Sequence, residues 1–385
     1  MRQNKKLIKA IEAYNGCGFS LFMNNKTFNN LIKVRNNFFN KKILLINLRD
    51  APSNAHLERA FARAVNSSKE EIAVDIFHAF ENNYDAIKHD NQTGFRIKYS
   101  GMDNLKDFVE KTKYDALIFI DLPYKDESLP PYAWLAKRFK ASKKFFIAND
   151  VLIGYGSIFG MDLAEDLKLL KDFSSAYVLD HAGLNGWRRF GLSHGVFKRR
   201  FAVDCQYFDG KVSEGNYLLS YGNISRDFEI LFQAMLILPK HLKLKIYTEK
   251  KLSLPSSLKN RVQFVSPEAN SIKLKKLISG AKFIVLPTVA DKKILSAGLS
   301  SALIAMAMGK ITLVRGNALM HRYLKNGVNA FTYKKSSSAE LSRGIEKMLA
   351  LSESEKKHIQ ANARKTVCNL NNMDTFAEEF IKKHF

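Results

Sequence analysis

The stretch from Ala281 to Tyr333, AKFIVLPTVADKKILSAGLSSALIAMAMGKITLVRGNALMHRYLKNGVNAFTY, leaves few folds open. Ala281–Leu286 is a short apolar, β-branched run that suits a strand buried on both faces. Pro287 to Ala297 is a polar loop. Gly298-Leu-Ser-Ser then opens Ala302–Met308, which is rich in Ala, Leu and Met and reads as a buried helix. Gly309 stops that helix, and Ile311–Val314 is the next strand. Strand, loop, helix, glycine, strand is one parallel βαβ unit.

The join at Gly298–Ser301 is where chemistry is expected. A helix N-terminus presents unpaired N–H groups and the positive end of its dipole. Gly298 lets a ligand approach the backbone closely, and Ser300 and Ser301 add hydroxyls, a combination that suits a phosphate or diphosphate. The competing reading is structural, since serine commonly caps helices and glycine commonly makes turns.

The same alternation runs through the rest of the chain. Lys42–Leu48, Ile72–Phe77, Phe95–Tyr99, Tyr114–Asp121, Lys144–Asn149 and Ala176–Asp180 read as strands, with a helix from His56 after the first. Later, Tyr217–Tyr221, Leu242–Thr248 and Val262–Val265 read as strands, Glu229–Leu238 and Ser271–Ser279 as helices. The chain closes with helices at Ala339–Leu351, Ser352–Thr366 and Asp374–His384. The pattern predicts two doubly wound, Rossmann-like α/β domains. Ligands in such sheets gather beyond the strand C-termini, which makes Asp50, Asp121, Asp150, Asp180 and His181 candidate acceptor-site residues. Each of them also simply ends its strand.

With 385 residues the chain has room for two domains. At 46% hydrophobic and 25% charged residues it is globular in composition. No apolar run reaches the roughly 20 residues of a membrane span, and the expected location is cytoplasmic. Cys17, Cys205 and Cys368 stand far apart and make no metal spacing and no even disulfide set, so they read as buried or incidental thiols. The formal net charge of +24 is a large positive field. It is dispersed, and no nucleic-acid-binding motif accompanies it, so an anionic membrane surface or a polyanionic acceptor fits better than nucleic acid. A Lys-, Asn- and Phe-rich composition is also what an A·T-rich genome yields. Residues 1–40 interleave basic and aromatic residues, as in either an extra helical layer or an interfacial anchor.

Several segments together resemble the GT-B glycosyltransferases, in particular glycosyltransferase family four. They are Val285-Leu-Pro287, Ala297-Gly-Leu299, Ala305-Met-Ala307 and Gly309-Lys310, then the turn Asn326-Gly-Val-Asn-Ala-Phe331. The start Gly222-Asn-Ile-Ser-Arg-Asp-Phe228 is similar to the family's first donor-domain loop, and Val203-Asp204 with Phe208 to its inter-domain link. The resemblance covers Tyr217–Ala363 in motifs and Lys42–Phe208 in architecture alone.

The resemblance implies a GT-B fold, with two parallel sheets facing a central cleft. It implies a basic extension at 1–40, an acceptor domain at 41–208, a donor domain at 209–366, and a closing segment at 367–385 that packs back on the first domain. The implied reaction moves a sugar, a hexose or related unit, from a nucleotide-sugar to a surface-glycan or lipid-linked acceptor. It retains configuration and needs no metal or other cofactor.

Gly222, Asn223, Arg226, Gly298, Leu299, Ser300 and Ser301 would hold the diphosphate, with Lys292, Lys293 or Lys310 adding charge. Lys310 also reads as a cation at a helix end. Glu249, Ser266, Pro267 and Ile304 fall in the base and ribose region, and His56, Asp150 and His181 are the candidates for catalysis. One departure stands out. The family's pair of glutamates falls here on Ser296 and Ile304, so a second reading is a catalytically inactive homologue that serves as a binding or assembly subunit.

Overall fold

The computed structural model describes residues 39–47, 52–78, 97–100, 113–120, 141–148, 173–179, 195–209, 215–267, 271–289 and 296–385. The basic extension at 1–38 lies outside them, as do Asp50, Asp121, Asp150, Asp180, His181, Lys292 and Lys293. The chain divides into two compact units, residues 1–199 with 374–385, and residues 200–373.

In the first unit seven parallel strands lie in the order β3-β2-β1-β4-β5-β6-β7. They are β1 (Lys41–Asn47), β2 (Ile72–His78), β3 (Ile97–Ser100), β4 (Tyr114–Ile120), β5 (Ala141–Ile147), β6 (Ser175–Leu179) and β7 (Val196–Arg199). The inner strands are the apolar runs of the sequence, and Ile43–Ile46 and Ala116–Ile120 are buried throughout, as a sheet covered on both faces requires. Helix α1 (Pro52–Ser67) follows β1 and starts four residues before the expected His56.

Val196–Arg199 is a strand that the sequence reading does not include. It pairs with β6 from Ala176↔Val196 to Leu179↔Arg199. Being an edge strand, it carries a mixed Val-Phe-Lys-Arg pattern with Phe197 exposed, and lacks the apolar run that marks a central strand. Phe197 stacks on Tyr177 at 5.3 Å, and Lys383 Nζ lies 3.5 Å from the Phe197 ring centroid.

The second unit holds six parallel strands in the order β10-β9-β8-β11-β12-β13. They are β8 (Tyr217–Tyr221), β9 (Lys243–Tyr247), β10 (Val262–Val265), β11 (Phe283–Leu286), β12 (Thr312–Arg315) and β13 (Phe331–Tyr333). Helices α2 (Phe228–Ile237), α3 (Ser271–Gly280), α4 (Leu299–Ala307), α5 (Ser338–Leu349) and α6 (Glu353–Leu370) complete it. Ser337 caps α5, and Ser352 with Glu355 forms a capping box on α6. In this sheet the strand order reverses between β8 and β11, the switch point at which α/β sheets bind ligands.

The units divide at 199/200 and 373/374, where the sequence reading draws 208/209 and 366/367. Residues 200–209 belong to the second unit: Phe201 N–H donates to Tyr323 Oη (3.1 Å), Val203 N–H to Asn371 O (2.8 Å), and Met373 N–H to Val203 O (3.0 Å). The final helix α7 (Met373–His384) joins the first unit from Asp374 onward. Arg63 Nε meets Asp374 Oδ1 at 2.6 Å. Phe380 packs edge-on against Phe61 (5.2 Å) and Phe145 (5.0 Å) and tilted against Tyr177 (5.2 Å).

At the end of α7 the Tyr177 hydroxyl pairs with His384 Nε2 at 2.6 Å. Burial, helped by Lys383 and Lys143, lowers the His384 pKa to about 4, while burial pushes Tyr177 up to about 12. A histidine whose folded pKa lies below its unfolded value stabilises the fold as the neutral ring. That contribution is complete above about pH 6.5 and is lost as pH falls through about 4. The stability difference between the natural chain and His384→Gln is therefore expected to shrink from pH 7.5 to pH 4. Denaturant titrations of both across that range check it, and a difference independent of pH would contradict it.

Candidate functional site

The site is built at the switch point of the second sheet, from the loops that leave β8 and β11 and the start of α4. Two chain reversals shape it. Gly222 sits at φ 108° and Gly298 at φ 87°, in the left-handed region that glycine adopts without strain. Each is also tightly enclosed: a Cβ on Gly222 would lie 2.6 Å from Arg226 Nη2, and one on Gly298 would lie 2.6 Å from Thr288 Cγ2.

Arg226 is the centre of the arrangement and points inward. It is 8% exposed. Its Nε donates to Tyr221 O (3.0 Å), Nη1 to Ile224 O (2.8 Å) and Nη2 to Ser301 Oγ (3.0 Å). The sequence reading has this guanidinium facing a diphosphate. In the structure it folds the β8 loop and links it to α4, and the carbonyl partners offset its unfavourable place near a helix N-terminus. Tyr221 adds a second link, with its buried hydroxyl donating to Ser301 O at 2.5 Å. Burial pushes the Tyr221 pKa well up, opposed by Arg226, so the hydroxyl keeps its proton.

The loop is also fastened to the end of β11. Asp227 N–H donates to Pro287 O (2.7 Å) and Val289 N–H to Ser225 O (3.1 Å). Asp227 then caps α2 by accepting from Ile230 N–H at 3.2 Å. Asn223 turns the other way. Its Oδ1 accepts from Thr248 Oγ1 (2.9 Å) and Glu249 N–H (3.0 Å), and its Nδ2 donates to Glu249 Oε2 (2.9 Å). Two residues expected in different parts of the site, Asn223 and Glu249, are thus bonded to each other across the loops after β8 and β9. Lys250 Nζ approaches Arg226 O at 3.5 Å and brings a cation to this edge.

At the start of α4 the four named residues differ in what they can offer. Gly298 is the N-cap. Leu299 N–H is already bonded to Ser296 O (2.9 Å), and its side chain is buried in the core, so Leu299 is structural. Ser301 Oγ accepts from Arg226. Ser300 is half-buried. Among the described residues, the backbone N–H groups of Ser300 and Ser301 have no hydrogen-bond partner, as expected for the first turn of a helix. These donors lie at the positive end of the α4 dipole, with Ser300 Oγ beside them.

The remaining candidates are dispersed. Ser266 and Pro267 follow β10, an edge strand two places from β8. Ser296 and Ile304, in the places of the expected glutamates, are each 8% exposed. Lys310 is 1% exposed and donates to Ala281 O at 2.6 Å. Ala281 lies just before β11, so that ammonium is at the opposite end of the strand from the site. His56 lies on α1 in the first unit and is 2% exposed, packed in the core. The reading of the sequence passed over Tyr221, Thr248, Thr288 and Lys250. Only their positions at strand ends could have flagged them, because the bonds they make join segments remote in sequence.

No family model matches the sequence, and no curated protein is similar to it. The three-dimensional structure does find counterparts. HepE of Anabaena, in complex with UDP and glucose, superposes with a TM-score of 0.65 at 12% identity, over 89% of this chain and 98% of that one. Sucrose-phosphate synthase of Thermosynechococcus elongatus gives 0.62 at 15% identity, over 89% and 98%. A variant of TarM from S. aureus, in complex with Fondaparinux, alpha-GlcNAc-glycerol and UDP, gives 0.63 at 10% identity, over 89% and 99%. The chain has the GT-B fold. Within this GT-B chain, the α4 N-terminus and the β8 loop are the parts whose geometry suits an anion, and the acidic pair expected beside them is absent.

Proposed function

We propose that this chain is a glycosyltransferase that binds a nucleotide-sugar at the second unit and moves the sugar to a surface-glycan or lipid-linked acceptor with retained configuration. The observation that carries the reading is the first turn of α4, where the N–H groups of Ser300 and Ser301 have no backbone partner among the described residues, together with the positive-φ turns at Gly222 and Gly298. Such a helix start accepts a diphosphate. Fixed N–H dipoles, Ser300 Oγ and Lys250 stabilise the charge that develops on the leaving nucleotide. No step in that scheme calls for a metal. In this reading Glu249 and Ser266–Pro267 would supply the base and ribose contacts. HepE and TarM, which share the fold, are each seen with UDP. The net charge of +24 suits work at an anionic membrane face or on a polyanionic acceptor, on the cytoplasmic side. Among the described residues no helix is long and apolar enough to cross a membrane.

A second reading has its own observation. Ser296 and Ile304 leave the expected carboxylate positions without charge, as in a GT-B homologue that binds partners and does no chemistry.

Thermal shift of the full chain with UDP, GDP, CMP, ADP and their sugar conjugates, followed by turnover with the responding donor, separates these. A ligand at ~100 times its dissociation constant adds about 2.7 kcal/mol. Ser300→Asp is the informative variant. A carboxylate at the α4 start suits the dipole and leaves the free chain as stable as before, while it repels a diphosphate. Nucleotide affinity is expected to fall at least about tenfold. If none of the nucleotides gives a shift, the donor-site reading fails. Binding without turnover favours the assembly subunit.

A further inference from the structure

The spacing of the three cysteines suggests no pairing, yet the fold brings two of them together. Cys205 lies in the segment by which the chain enters the second unit, and Cys368 lies on α6 just before the chain leaves it. Residues 203–209 run alongside residues 364–373, which sets Cys205 beside Cys368, and neither is in a disulfide. The surroundings hold the two segments in register. Val203 bonds Asn371 and Met373 on one side of the thiols, and Arg364 Nη2 bonds Asp209 Oδ1 at 2.9 Å on the other.

The two sulfurs differ in access. Cys205 is buried. Cys368 is half-buried and lines an open pocket of about 510 Å³, whose wall also carries Arg364 and Lys365.

We propose that Cys205 and Cys368 are a peroxide-responsive thiol pair, with Cys368 the attacking and Cys205 the resolving sulfur. The Cys368 thiolate attacks one oxygen of hydrogen peroxide. An S–O bond forms, the O–O bond breaks, and the departing hydroxide takes up a proton and leaves as water. The Cys205 sulfur, giving up its proton, then attacks the Cys368 sulfenic sulfur. The S–S bond forms, the S–O bond breaks and a second water leaves. Two thiols are oxidised and one peroxide is reduced to two waters.

The acid–base order agrees with Cys368 as the sulfur that attacks peroxide. The neighbouring Cys205 thiol and Arg364 lower the Cys368 pKa to about 7, against desolvation and Asp209. The neighbouring Cys368 thiol, then burial, push Cys205 up. A thiol near ambient pH is the better attacker. The resulting disulfide fastens the entry segment of the second unit to its exit helix.

The test uses the full chain with Cys17→Ser, reduced, then exposed to a slight excess of hydrogen peroxide and blocked with N-ethylmaleimide. The expected result is a mass loss of about 2 Da, no maleimide uptake, and a proteolytic fragment pair joined through 205 and 368, all reversed by dithiothreitol. Cys368→Ser should leave Cys205 unoxidised, and Cys205→Ser should stop at a sulfenic acid on Cys368 that dimedone captures. The proposal fails if both thiols still take maleimide after peroxide, if the link joins two chains, or if Cys368→Ser oxidises as fast as the parent. Should Cys205→Ser not fold, the comparison of the parent with Cys368→Ser decides alone, since Cys368 is half-buried.

Discussion

Phe380→Ala is expected to destabilise the first unit by about 3–5 kcal/mol, the range for emptying a well-packed phenylalanine site. The ring is 2% exposed and lies between Phe61 on α1, Phe145 on β5 and Tyr177 on β6. Its removal takes away dispersion contacts and edge-on aromatic geometry from three elements at once. The surrounding rings belong to separate elements, so they cannot close the gap by moving together. Phe380→Leu, which keeps most of the volume, should lose less than half as much. Guanidinium titration followed by circular dichroism reads both values. A loss under about 1 kcal/mol for the alanine variant would mean that α7 is only loosely held to the first unit.

Arg226→Ala is expected to cost about 3 kcal/mol in the second unit and to lower nucleotide affinity more than tenfold. Both effects have one cause. Tyr221 O, Ile224 O and Ser301 Oγ lose a charged donor at a buried position, and the β8 loop loses the link that aligns it with α4. Arg226→Lys should recover little, because one ammonium cannot span the three acceptors that the planar guanidinium reaches. Denaturation of the free protein, paired with isothermal titration of the nucleotide that responds in thermal shift, checks the account. If the variant keeps its stability and loses only binding, the arginine touches ligand directly, and the positioning role assigned to it is wrong.

Much of the architecture was legible before any coordinates. KILLIN, YDALIFI and FIVL are apolar runs of strand length bounded by turn residues, and each became a central parallel strand. The local physics suffices there, because a strand covered on both faces must be apolar throughout. Gly222 and Gly298 were legible for a similar reason. Gly222 opens the loop after β8 and Gly298 caps α4, and the structure gives both a positive φ. The edge strand β7 was missed because half of its surface needs no apolar residue. The placement of α4 was right in kind, but its start lay three residues earlier than the apolar run suggested, at Leu299.

The site itself divides along the same line. The sequence by itself determined two parallel α/β sheets, the glycine turns, and a helix start just after Gly298, since each depends on neighbours in the chain. Only the tertiary structure decided that Arg226 turns inward to Ser301, that Asn223 holds Glu249, that Lys310 lies at the far end of β11, and that the segments carrying Cys205 and Cys368 run side by side. Those outcomes depend on which donors and acceptors converge where loops from separate strands meet. Separations of 75 residues for Arg226 and Ser301, or 26 for Asn223 and Glu249, leave no trace in local pattern. A long polar side chain takes whichever buried acceptors the fold places within its reach, because leaving them unpaired is the costlier alternative.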